Sequence, residues 1–149
     1  MPNKNTEEAI AELVALLPMF MRTLLEESTV KTAANLSTSE EKTLMYIHKH
    51  EGRSMGEYSK KVGLARGSFT AVADSLEQKK LVKRVSGPDD RRKCALVLTE
   101  EGKKIAREID ARFKQQIAAR LAQLGEEDLN NLKNALEIIA QTMEKLNDQ

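Results

Sequence analysis

Near the start of the chain, apolar residues fall at Ile10, Leu13, Leu17, Phe20 and Leu24, alternately three and four apart, which predicts one helical stripe. Thr6, with Glu7 and Glu8 beside it, marks an N-cap region, and Pro18 predicts a kink or a break because it cannot donate to the helix ladder. The end of the chain repeats the spacing at Leu129, Leu132, Leu136, Ile139, Met143 and Leu146. Seams of this kind need partners. The two arms either pair with each other inside one chain or interlock across a two-fold dimer.

Shorter elements lie between them. Leu36 to Glu40 offers a capping Ser or Thr, Leu44, Met45, Ile47 and His48 extend a helix, and Glu51-Gly52 ends it. Ser54 caps a brief helix from Met55 to Lys61, closed by Val62-Gly63-Leu64, and Arg66 opens another with Phe69, Val72, Ala73 and Leu76 facing inward. Two helices about a Gly-containing turn form a helix-turn-helix candidate. Leu81 to Val85 and Cys94 to Leu98 read as strands around the turn-rich Ser86 to Asp90, so a hairpin follows the helix pair as a wing. Thr99 then caps a long helix carrying Ile105, Ile109, Phe113 and Ile117, and Gly125 with Glu126, Glu127 and Asp128 starts the last one.

Composition narrows the function. A chain of 149 residues suits one domain, and 3% aromatics with no Trp disfavour an aromatic-lined sugar or single-strand nucleic-acid site. The apolar stretch from Leu13 past Pro18 to Met21 is far shorter than the roughly 20 residues that span a bilayer, and the opening residues lack the basic-then-apolar layout of a signal peptide, so none is expected. Cys94, alone, cannot form an intrachain disulfide and is read as a small strand residue. These features predict a cytoplasmic location. The net charge is +1 and offers no support for a polyanion partner until it is located along the chain. Arg53 to Lys93 hold eleven Lys or Arg against five Asp or Glu, a surplus of six, and the remainder has a deficit of five. Such a basic centre is the electrostatic footprint of nucleic-acid binding.

Three motifs at fixed separation are more specific: Leu76-Glu77-Gln78-Lys79-Lys80-Leu81-Val82-Lys83-Arg84, the wing Pro88-Asp89-Asp90-Arg91-Arg92, and Leu98-Thr99-Glu100-Glu101-Gly102. With the order of elements, they resemble the MarR family of winged-helix bacterial transcription regulators. The resemblance implies a mainly α fold with a small β-hairpin wing, as one domain over 1–149. In it, residues of about 6–35 and 99–149 form dimerisation helices, and about 36–98 form a winged helix-turn-helix lobe. It also implies a homodimer on a pseudo-palindromic operator. Lys80 stands where family members commonly have a second Gly, and Ala71 and Ser75 stand where Arg is frequent.

Helical spacing turns Arg66, Gly67, Thr70 and Ala71 toward a major groove, with Ser68 placed to bond phosphate. Arg66 either grips a guanine or contacts phosphate. Asp74 would repel phosphate and pairs with a neighbouring cation or points off the groove. By resemblance Arg92 enters the minor groove, aimed by Asp90. Lys60, Lys61, Lys83, Arg84 and Arg91 are expected on the DNA backbone. Met19, Met21, Met45 and Met55 read as flexible core filling. Family analogy nonetheless puts Met19, Phe20, Met45 and Tyr46 at an effector pocket, with Arg22 as the cation for a small aromatic or phenolic molecule. His48 and His50 are two apart and point to different helix faces, so no metal site is expected, nor any cofactor. With no phosphate-cradling Gly motif and no nucleophile elbow, the chain is not expected to be an enzyme. The alternative to a repressor is a winged-helix protein-interaction module without operator recognition.

Overall fold

The structure is a computed structural model that describes residues 3–25, 34–64, 66–86 and 94–148, with the backbone alone at position 66. Two helices open it, α1 (Lys4–Val14) and α2 (Leu17–Leu25). The cap is Asn3 rather than Thr6, its side chain accepting from the Asn5 amide at 3.5 Å. The break between α1 and α2 has a steric cause. The ring of Pro18 would strike the carbonyl of residue 14, four positions back, and α1 ends at Val14.

The next elements are α3 (Thr38–Lys49), α4 (Met55–Val62) and α5 (Arg66–Gln78). Ser37 caps α3 by accepting from the Glu40 amide at 3.2 Å. Ser54 and Glu57 close a reciprocal capping box on α4, at 3.3 and 2.9 Å. Gly63 ends α4 with φ of 76°, a left-handed conformation that glycine adopts without steric cost and that turns the chain toward α5. The strands β1 (Val82–Ser86) and β2 (Cys94–Leu98) run antiparallel, with Val82 opposite Leu98 and Arg84 opposite Leu96, and Ser54 adds an isolated bridge to Ala95. Two long helices complete the chain, α6 (Glu100–Leu121) and α7 (Glu126–Asn147). The described elements are mainly helical with one hairpin, as the resemblance implies.

The chain divides into two units, one of residues 28–113 and one of residues 1–27 with 114–149. The first of these holds the core. Leu44, Ile47, Tyr58, Phe69, Leu76 and Leu96 are fully buried there, each worth about 1.5–3 kcal/mol of apolar transfer. Met45 and Met55 pack against this core, as core-filling residues should. The other unit has no comparable interior among its described residues. Neither α1 nor α7 buries a residue, and Leu13, Leu17, Leu136, Ile139, Met143 and Leu146 are exposed. Met19 and Met21 are exposed as well, so the expectation that they fill a core fails within one chain. Of the N-terminal stripe, Ile10, Leu13 and Leu17 are exposed too, while Phe20 and Leu24 are half-buried.

Candidate nucleic-acid interface

The basic unit positions its helix pair by burying one side of each helix. On α5, Phe69, Ala73 and Leu76 are buried, which leaves Gly67, Ser68, Thr70, Ala71 and Asp74 exposed along the other side. These include all the residues expected to face DNA from α5 other than Arg66, whose side chain lies outside the described residues, as do Asp90, Arg91 and Arg92 of the wing tip. Lys60 and Lys61 end α4, and Lys83 lies on β1, all three exposed. A Cβ added at Gly67 would meet nothing within 4 Å, so its surroundings are open.

Arg84 is placed differently from the lysines. It is half-buried on β1, where its Nη2 pairs with Asp74 Oδ1 and its Nη1 lies 3.6 Å from Glu77 Oε1. The hydrogen bond to Asp74 holds the guanidinium above its usual pKa. Asp74 thus has the cationic neighbour expected of it.

Three further contacts fix α5 and the hairpin, and none was read from the sequence. Glu40 of α3 is buried and takes Ser75 Oγ at 3.0 Å and Lys79 Nζ at 2.6 Å, which ties α3 to α5. Thr99 Oγ1 donates to the Lys80 carbonyl at 2.7 Å, while the Thr99 amide donates to Leu81 O at 3.0 Å. Tyr58 donates its hydroxyl to the His50 carbonyl at 2.7 Å and accepts from the Arg53 amide at 3.1 Å, and burial pushes the phenol above its usual pKa. Glu40 meets partners 35 and 39 residues away and Tyr58 partners 8 and 5 away, and none of these pairings follows the period of a helix or strand. Only Thr99 had a signal in the sequence, in its Leu-Thr-x-x-Gly setting. Lys80 has φ of 60°, a left-handed conformation that glycine would adopt without steric cost.

The expected effector residues fall in separate units. Met19, Phe20 and Arg22 belong to the unit that includes α2, with Met19 and Arg22 exposed and Phe20 half-buried. Met45 and Tyr46 belong to the other, where Met45 lines a groove of about 270 Å³ with Lys42, Lys49, Ile109 and Phe113. Tyr46 packs its ring against His50, at 4.5 Å between centroids, and edge-on to Tyr58, at 5.5 Å. Among the described residues no group of three or more His, Cys, Asp or Glu is placed to hold a metal, and no helix is long and apolar enough to cross a membrane.

Comparison with known proteins agrees with this geometry. The MarR family model matches residues 36–94. The chain is 32% identical over 101 residues to the HTH-type transcriptional repressor MdtR of Bacillus subtilis (strain 168), covering 68% of this chain and 65% of that one. It is similar to the crystal structure of YusO from Bacillus subtilis, with a TM-score of 0.63, 26% identity and coverage of 95% and 98% of the two chains. It also shares its fold with Streptococcus pneumoniae FabT, solved in complex with DNA, at a TM-score of 0.63 and 24% identity over 96% and 98% of the chains.

Proposed function

The chain belongs to the MarR family of winged helix-turn-helix transcriptional regulators, a family without enzymatic chemistry, and on that premise we propose that it is a homodimeric repressor of a pseudo-palindromic operator. The observation that carries this is the exposed side of α5. A helix whose outer row is Gly67, Ser68, Thr70 and Ala71 can lie close against base edges in a major groove, because no bulky side chain holds it away. Exposed Lys60, Lys61 and Lys83 supply phosphate contacts on either side of it in sequence. Arg66 adds a groove contact at the start of α5, the wing residue Arg92, oriented by Asp90, enters the adjacent minor groove, and Arg91 contacts the DNA backbone.

The bare apolar rows of α1, α2 and α7 support the dimer. A helix of 22 residues that fully buries none of them, and leaves Leu136, Ile139, Met143 and Leu146 exposed, is only partly covered, and helices in water depend on an apolar face being covered. A second copy of the same arms supplies that cover. The groove beside Met45, apolar at Ile109 and Phe113 and lined by Lys42 and Lys49 together with Glu41 and Asp110, suits a small aromatic or phenolic molecule as the releasing effector.

Selection from a pool of randomised duplexes with purified protein tests the operator reading. A repressor returns a palindromic motif. A protein-interaction module returns no enrichment, which rules out operator recognition.

A further inference from the structure

The row that faces outward on α5 does not stay neutral. Asp74 follows Gly67, Thr70 and Ala71 along it, and Glu77 comes three residues later, with side chains 52% and 42% exposed. Phosphate brought against this half of the helix meets two carboxylates, and such like-charge approach is costly. Both carboxylates are engaged by Arg84 of β1, through Nη2 to Asp74 and through Nη1 at 3.6 Å to Glu77. An ion pair this exposed adds little to folding stability, so stability is not what the arrangement supplies.

We propose that Arg84 is a positioning residue for DNA specificity: Asp74 and Glu77 keep its guanidinium off the phosphates, which lowers sequence-independent attraction at the recognition helix and holds the wing strand against it. The inference rests on the DNA-binding reading above. Arg84 acts through the two carboxylates and contributes no phosphate contact of its own.

The test measures binding of a mixed-sequence duplex by fluorescence anisotropy across a KCl series, with the slope of log affinity against log salt as the readout. Arg84→Gln should move that slope by much less than one. Asp74→Asn combined with Glu77→Gln frees the arginine and should steepen the slope by about one, tightening non-specific binding by on the order of tenfold at low salt. Adding Arg84→Gln to that pair should abolish the increase. Arg84→Lys, which keeps the charge and the pairing, should match wild type, and thermal melts establish that each variant is folded. A slope lowered by about one in Arg84→Gln alone means that the arginine already sits on phosphate and overturns the proposal. So does an unchanged slope in the carboxylate variant. Wild-type protein that binds no duplex at low salt overturns the DNA-binding reading and this inference together, whereas binding with unmoved slopes sinks this inference only.

Discussion

Gly102 packs so closely on Leu81 that a Cβ built on it would stand 1.9 Å from the Leu81 carbonyl oxygen. The first turn of α6 is seated on the backbone just after the recognition helix. Thr99 completes the seat by donating to the Lys80 carbonyl and accepting from the Gly102 amide at 3.0 Å. The Leu-Thr-x-x-Gly spacing is therefore a docking device: the threonine caps α6 and the glycine makes room for the chain it rests on.

Gly102→Ala is expected to destabilise the protein by about 3 kcal/mol, because the obstructing atom is backbone and cannot swing away as a side chain would. Urea melts of this variant beside Gly67→Ala give the control. Gly67 has open space around it, so alanine there should be neutral or slightly stabilising.

Lys80→Gly should raise stability by up to about 1 kcal/mol. The lysine is held at φ of 60°, where a Cβ is penalised, and only part of that gain is lost to the greater freedom of glycine in the unfolded chain. A lower melting temperature in Lys80→Gly would contradict this account of the turn.

Tyr58 links stability to alkaline pH. Its folded-state pKa is raised by burial, so the folded protein keeps the phenolic proton after the unfolded chain has lost it. Its stabilising contribution is full below pH of about 10 and is lost as the pH rises through the folded-state value. Tyr58→Phe should therefore flatten the fall in unfolding free energy above pH of about 10, measured by urea melts at a series of pH values. It should also cost about 1–3 kcal/mol at neutral pH by leaving the Arg53 amide and His50 carbonyl without their partner.

How much of this was legible varies with how local the chemistry is. Ser37, Ser54 and Gly63 are caps and turns encoded within a few residues, and they fall where the sequence places them. Asn3 displaced Thr6 as the first cap because two polar residues competed for one helix start. The pairs Glu40 with Lys79 and Asp74 with Arg84 join residues 39 and 10 apart, and only the fold brings them together. Met19 and Met21 were misjudged for a related reason. An apolar residue reads the same in sequence whether its partner lies in the chain or in another molecule, and these two residues are exposed in this one.

The wing arginine carries the sharpest prediction about DNA. Arg92→Ala should weaken operator binding by about 1 to 3 kcal/mol in a mobility-shift titration, as loss of a minor-groove contact does. Unchanged affinity would remove Arg92 from the interface.

The central claim is that two copies of this chain read one duplex. Native mass spectrometry and hydroxyl-radical footprinting on a duplex obtained by selection measure that most directly. The account predicts two chains per duplex and two protected half-sites about one helical turn, or roughly 10 base pairs, apart. One chain per duplex, or a single protected site with no symmetry mate, would contradict it.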